Sequence, residues 1–264
     1  MKLIKSLHKW LSILVALQCF IWLSSALFFN LMDSSKASGN QYRIASVPSK
    51  NTHPLNMQSL NSQALNTQAL NDEQDKFIEP RQVLSKLEKG EKVYSIKLIT
   101  LLNKPYYLIN HKKALYKHLY NQHSLVDAVT AEQVIIDQGF ANSIALSSYK
   151  GSGDIVSSTK KSPPFDDFSK EENTLWVIKL NDEVSTSIYV DANSGRLVGH
   201  SNDDKRFADF FFMLHFMDYG LWETSKTGGF NNGIIILLGM LMLIFCLTGF
   251  IWVIELARKG GYSI

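Results

Sequence analysis

Cysteine is nearly absent from this chain: 264 residues contain two, Cys19 and Cys246, and each falls inside an uncharged stretch near one end. No disulfide can staple the region between them, so whatever folds there rests on its own apolar core. Charge is missing in the same two places. No Asp, Glu, Lys or Arg occurs in residues 11–32 or in residues 233–254. At about 1.5 Å per helical residue each stretch reaches about 33 Å, enough to cross a hydrocarbon core of about 30 Å. A clustered Lys/Arg stripe is missing too. Of the 27 Lys and Arg, five (Lys2, Lys5, Lys9, Arg258 and Lys259) flank the apolar stretches, and of the 24 Asp and Glu only Glu255 does. Residues 33–232 therefore hold 22 basic against 23 acidic side chains, and the formal charge of +3 belongs to the ends. Nucleic acid is not an expected partner of such a chain. Finally, the sequence has no nucleophile elbow, phosphate loop, metalloprotease helix or dinucleotide fingerprint, so no catalytic residue is assigned.

What is present begins with two transmembrane helices. Lys2, Lys5 and Lys9 precede an apolar run that continues through Leu27, Phe28, Phe29 and Leu31, longer than the core of a cleaved signal peptide, and we read it as a retained anchor. Basic residues are held on the cytoplasmic side of a span, which puts both termini in the cytoplasm and the central region outside. Trp10, Trp22 and Trp252 sit where interfacial rings are expected. Ser24, Ser25, Gly239 and Gly249 are small residues that would let the helices approach closely, and Glu255 is expected to pair with Lys5 or Lys9 or to reach water.

Between the anchors the texture changes twice. Residues 33–78 are polar and include a five-residue repeat starting at Leu55, Leu60, Leu65 and Leu70, a period that suits neither helix nor strand and reads as a low-complexity spacer. From Glu79 the chain reads as globular. Pro80, Val83, Leu84 and Leu87 predict a short helix stopped at Gly90. Strand-like runs follow at 93–102, 106–110 and 114–120, with an edge at 125–129. The order then repeats. Thr130 and Gln133 suggest a capping box for a helix carrying Val134, Ile135, Phe140 and Ile144, ended by Gly151-Ser152-Gly153. Strands are expected at 154–157, 175–180, 185–191 and 197–200, with a tight turn at Asn193-Ser194-Gly195. The expected units are 79–130 and 131–203. Residues 204–232 form an aromatic amphipathic segment, from Arg206 to Trp222 in its helical part, that lies on the outer leaflet or packs on the first helix and leads back to the second span at 233–256. Cytoplasmic ends occupy 1–10 and 257–264, with the first span at 11–32.

Within the second unit, Trp176-Val177-Ile178-Lys179-Leu180, Ser187-Ile188-Tyr189-Val190-Asp191 and Ser194-Gly195-Arg196-Leu197-Val198 resemble the closing strands of a PepSY domain. His8-Lys9-Trp10-Leu11, Leu214-His215-Phe216 and Leu247-Thr248-Gly249-Phe250-Ile251-Trp252 resemble the PepSY-associated transmembrane helix family. In the first unit Leu125-Val126-Asp127-Ala128 stands in the matching place, without the turn glycine. The resemblance implies a membrane α+β protein, two transmembrane helices flanking an extracytoplasmic domain of two PepSY-like helix-plus-antiparallel-meander units, in a bacterial inner membrane. It leaves function open, since fold analogy carries little about chemistry. One expectation is a non-catalytic periplasmic interaction or regulatory module, partnered by lipid and by another membrane or periplasmic protein or by itself. The other is a haem-binding component of a transmembrane electron-transfer or ferric-siderophore reductase system, in which His8 and His215 would be axial ligands of haem b. The topology puts those two histidines on opposite faces, so one chain would not bring both to one iron, and the haem-binding component would act as a dimer or with a partner protein that supplies the other ligand. His111, His118 and His123 match no compact zinc spacing, and no metal site is assigned to them.

Overall fold

The structure, a computed structural model, describes residues 2–44, 77–86, 92–112, 115–217 and 233–260. The repeat at 55–71, Leu87, Gly90 and residues 218–232 of the re-entry segment lie outside the described residues. The chain divides into two compact units, Met1–Ser38 with Asp204–Ile264, and Gly39–Asp203.

The first unit is helical. Helix α1 (Lys2–Leu31) starts nine residues before the uncharged stretch, so Lys2, Lys5, His8 and Lys9 are helical rather than leading into the helix. A one-turn helix α2 (Ser34–Ala37) follows, capped by Asp33, whose Oδ1 accepts from the Ser35 and Lys36 amides. Among the described residues the last two helices are α5 (Asp203–Phe216) and α6 (Gly233–Arg258). Both α1 and α6 are long and apolar enough to cross a membrane. They run antiparallel: Lys5 meets Glu255 at 3.8 Å while His8 meets Thr248 at 3.0 Å. The buried residues of α1 are Leu11, Val15, Gln18 and Ser25, a stripe at alternating spacings of three or four that a left-handed helix pair requires. The remaining faces carry Ile13, Leu14, Leu17, Phe20, Leu23 and Leu27, all exposed, as lipid-facing side chains are.

The second unit is built from alternation. Helix α3 (Pro80–Lys86) precedes an antiparallel sheet of β1 (Ser95–Leu101), β2 (Lys104–Asn110), β3 (His123–Asp127) and β4 (Gln133–Val134), in that order. Helix α4 (Gln138–Ser147) precedes a second sheet of β5 (Ile155–Lys161), β6 (Leu175–Leu180), β7 (Ser187–Asp191) and β8 (Leu197–Ser201). Because successive strand residues face opposite ways, each sheet has two apolar faces to cover. Ile96, Tyr107, Ile109 and Val126 pack with Val83 of α3. On the other face Tyr106 and Leu125 join Ala141, Ile144 and Ala145 of α4, and the same cluster takes in Ile178, Leu180, Ile188 and Val190 of the second sheet. Helix α4 is thus shared by both sheets. The outer face of the second sheet, Leu175, Val177 and Tyr189, is closed by Phe165 and Phe168 from the loop before β6.

Two expectations need correction. The third strand is 123–127, not 114–120. The described part of that run, from Leu115 on, forms turns, and the edge expected at 125–129 is an inner strand bordered by β4. The second helix starts at Gln138, not near Thr130. Asp137 is its cap, accepting from the Phe140 amide at 2.7 Å, and Val134 belongs to the first sheet. The β-branched pair Val134-Ile135 after Gln133 carries strand signal rather than a helix start.

The two sheets close on the same turn. Asp191 Oδ1 accepts from the Asn193 and Ser194 amides, Gly195 has φ +66, and the Asp191 amide donates to the Arg196 carbonyl. In the first sheet Asp127 Oδ1 accepts from Val129 and Thr130, Ala131 has φ +55, and the Asp127 amide donates to Glu132. The glycine that the first unit lacks is replaced by a left-handed alanine. Left-handed backbone is unfavourable for any residue with a Cβ. Ala131→Gly is therefore expected to stabilise the protein by about 0.5–1 kcal/mol after the entropy gained by the unfolded chain. Gly195→Ala should destabilise it, since the new Cβ would be strained and would sit 3.0 Å from Leu101 Cδ1 and 3.2 Å from Ile144 Cδ1. Thermal unfolding of the full-length chain and both variants checks the opposite signs; equal shifts would contradict the shared turn.

Candidate functional site

The two histidines singled out from sequence both lie in the helical unit, and each is held by a hydroxyl. His8 Nδ1 bonds Thr248 Oγ1 at 3.0 Å, and the same hydroxyl donates to the Phe245 carbonyl at 2.9 Å. With its proton committed there, Thr248 accepts from His8 Nδ1–H. The ring stacks on Phe245 with centroids 4.5 Å apart and meets the edge of Trp252. It also lies over Gly249, where a Cβ would come 3.0 Å from His8 Cε1. Gly249 is the small residue that permits this approach; Gly239 has nothing within 4 Å of a Cβ and serves no such role. His8 is therefore packed into the helix seam.

His215 repeats the pattern at the other end of α1. Ser25 Oγ is 2.8 Å from His215 Nδ1 and returns its proton to the Ile21 and Trp22 carbonyls, so His215 also donates through Nδ1. Trp22 Nε1 donates to the His215 carbonyl at 3.0 Å. Of the two arrangements expected for α5, packing along α1 is found. Phe207 and Phe211 meet Phe28, and Phe212 stacks on Phe29 at 4.5 Å. The sequence separation from His8 to Ser25 on one helix puts the two imidazoles about 25 Å apart along its axis. They do not converge, and this chain alone supplies no pair of axial ligands to one haem.

In the two-sheet unit the polar groups that sequence reading passed over are the buried ones. Glu171 is 4% exposed and accepts from Arg196 Nη2 at 2.9 Å, with Asp191 Oδ2 3.7 Å from the same nitrogen. Asn173, 1% exposed, accepts from the Asn121 amide at 2.7 Å and donates to the Lys117, His118 and Leu119 carbonyls. These bonds tie the segment between β2 and β3 to the start of β6. His111 Nε2 is 2.8 Å from Ser124 Oγ, and His118 stacks on Tyr116. Burial pushes His123 below the usual imidazole range, with the Asp191 charge opposing and Arg196 assisting. Among the described residues no group of three or more His, Cys, Asp or Glu converges to hold a metal ion.

Ser148 and His200, 2.8 Å apart, have the outline of a nucleophile and base. The chemistry is wrong for that role. Ser148 Oγ also donates to the Ala145 carbonyl at 2.7 Å, which makes it the acceptor of the His200 Nε2 proton. His200 Nδ1 is enclosed and has no partner to orient the ring. Burial, helped by the nearby Arg43 charge, pushes His200 down to about 4, too weak a base near neutrality. Beside the pair is a cavity of about 290 Å³, floored by Leu101, Leu102, Ile144 and Leu197 and edged by Arg43. Tyr149, buried and donating to Asp182 Oδ2 at 2.8 Å, is pushed up to about 12. Although burial works against it, hydrogen bonds from Thr186 and Tyr149 hold Asp182 below the usual carboxylate range.

An apolar antiparallel helix pair, with a domain of two antiparallel four-stranded sheets between its helices in sequence, defines a membrane α+β protein. The family model of the PepSY-associated TM region matches residues 114–262, more than half of the chain, and the chain belongs to this family. Neither curated proteins nor solved structures give a match.

The low value of His200 has a consequence for stability. The unfolded chain takes a proton at this residue as pH falls through about 6.5, and the folded chain only near 4. The stabilisation is whole above pH 6.5 and is lost between 6.5 and 4, by roughly 3 kcal/mol if the full shift is expressed. His200→Phe is expected to flatten the pH dependence of the unfolding midpoint across that window. An unchanged slope would contradict the assignment.

Proposed function

We propose that the chain is an inner-membrane-anchored, non-catalytic interaction or regulatory module, with its two PepSY-like units on the periplasmic side. The observation that carries this reading is the use to which the buried polar groups of the two-sheet unit are put. Glu171, Asn173, Asp182, Asp191 and His200 are each bonded to the unit's own backbone or to a neighbouring side chain, and none is paired as base, nucleophile and orienter. They fix shape. The duplicated helix-plus-four-strand order and the shared Asp turn support reading each half as a PepSY-like unit. Orientation is supported by the pairing of Lys5 with Glu255, which brings the cationic ends of both spans to one side.

Haem-linked electron transfer finds less support. The two imidazoles lie at levels about 25 Å apart, so a second chain would have to supply the opposing ligand at each.

The interaction reading is tested by photo-cross-linking in cells. A photoreactive phenylalanine analogue at Tyr94, Ile135 or Val156, which are 56%, 78% and 66% exposed, samples the unit's surface without disturbing its cores. A discrete adduct of defined mass from at least one position is expected. Full-length, membrane-inserted chain that yields no adduct from any of the three would contradict the reading.

A further inference from the structure

We propose that the loop joining β2 to β3 is a second membrane contact, which docks the two-sheet unit on the surface of an anionic bilayer. The near-neutrality of residues 33–232 hides an uneven distribution. Residues 92–126 hold six Lys and no Asp or Glu, whereas residues 127–203 hold 12 acidic side chains against six basic. The lysines are spaced rather than clustered, but no carboxylate in that stretch offsets them. The half built on the first sheet is therefore cationic and the half built on the second anionic. Among the described residues, Lys92, Lys112 and Lys117 stand exposed at the end of the first sheet where this loop emerges.

The same end carries apolar side chains that the fold leaves in the open. Leu115 is 80% exposed, Tyr116 59% and Tyr120 51%; Tyr94, whose amide donates to the Asn110 carbonyl at the end of β2, is 56% exposed. One exposed apolar residue is ordinary, but four around one loop form a patch. The loop that presents them is tied down. Asn173 Nδ2 donates to the Lys117 and Leu119 carbonyls at 3.2 and 3.0 Å, and the Glu172 amide donates to the His118 carbonyl at 2.8 Å. The His111 amide donates to the Gln122 carbonyl at 2.9 Å and closes the base. The loop is thus ordered before any partner arrives, which lowers the entropy cost of binding. Lys112 Nζ lies 4.9 Å from the Tyr120 ring centre. Lysine beside tyrosine and leucine suits a membrane interface, where rings settle at headgroup level, leucine enters the acyl boundary and ammonium groups meet lipid phosphates. Glu172 stands at the base of the loop with its carboxylate accepting from the Tyr120 amide at 3.1 Å, and the three lysines outnumber it.

An acidic protein surface offers the same charge, and chain connectivity decides between the two. Helix α1 ends at Leu31 and the two-sheet unit begins at Gly39, a connection that spans at most about 28 Å. At the other end β8 stops at Ser201 and α5 starts at Asp203. The bilayer is thereby held near the unit at high effective concentration, whereas a soluble partner must be met by diffusion. An anionic leaflet attracts the half with the lysines and repels the half with the excess acid, so charge selects the side that faces it. Purified chain and lipid are enough for this contact, which therefore does not rest on the protein partner proposed above.

The test is quenching of a nitrobenzoxadiazole label by lipids that carry a doxyl group high on one acyl chain, in vesicles reconstituted with the full-length chain. The label is placed on Tyr116→Cys, or for reference on Val156→Cys of β5, in Cys19→Ala, Cys246→Ala protein; Val156 is 66% exposed on the anionic half. With phosphatidylglycerol at about 30 mol%, quenching at position 116 is expected to be at least about threefold that at position 156. It should fall to the reference level in pure phosphatidylcholine, and at least halfway to it in Lys112→Gln, Lys117→Gln protein. Every substituted residue of the two-sheet unit is exposed, and circular dichroism melts check that the fold is kept. Equal quenching at the two positions, or quenching at position 116 that ignores phosphatidylglycerol or the lysines, would overturn the proposal. So would a label shielded from water without doxyl quenching, the mark of a protein surface on the loop.

Discussion

The antiparallel pairing of α1 and α6 is the constraint on which the rest of the molecule depends, because it fixes which ends of two apolar helices share a side. The pairing is specific where it is polar. In a bilayer, apolar side chains gain little by leaving lipid for a neighbouring helix, so close approach and hydrogen bonds must hold the register. His8 provides both: its ring occupies the space that Gly249 leaves, and its Nδ1 proton goes to Thr248. Lys5 and Glu255 add a charge pair one turn further out. With that register set, the Ser25 end of α1 receives α5 through Phe28, Phe29 and His215.

The two-sheet unit solves a separate problem, folding without disulfides. Two sheets with apolar residues on both faces need three covering layers. The chain supplies α3 for one outer face, the Phe165 and Phe168 loop for the other, and α4 for both inner faces at once. Sharing one helix makes the two halves a single core, and the Asn173 bonds to Asn121, Lys117, His118 and Leu119 lock the halves from the side. Within the second half, removing Arg196 alone would leave the buried Glu171 and Asp191 carboxylates without their cation.

Much of this is legible in the sequence, and the reasons for the rest are physical. The spans are legible because a helix of that length in water would need charged side chains along its solvent face, and residues 11–32 and 233–254 have none. Strands at 175–180 and around 187–191 and 197–201 are legible because apolar residues and tight-turn signals agree there. The strand at 133–134 and the helix start at 138 are harder to read, because Val134 and Ile135 suit a strand better than a helix and Asp137 is the stronger cap than Thr130. The turn at 127–132 is hidden because alanine occupies a position where glycine is the usual marker. His8 and His215 are visible as candidates, but their hydroxyl partners lie 240 and 190 residues away in the chain and no local pattern announces them.

Sidedness is the claim that everything functional rests on, and the near absence of cysteine makes it directly measurable. A single cysteine at Thr159, a residue of β5 on the two-sheet unit, in Cys19→Ala, Cys246→Ala protein can be challenged with a membrane-impermeant maleimide. Complete labelling in right-side-out spheroplasts and protection in sealed inverted vesicles, with the reverse for a cysteine at Lys2, is the predicted result. Labelling of the Thr159 position in inverted vesicles alone would place the two-sheet unit in the cytoplasm and contradict the account.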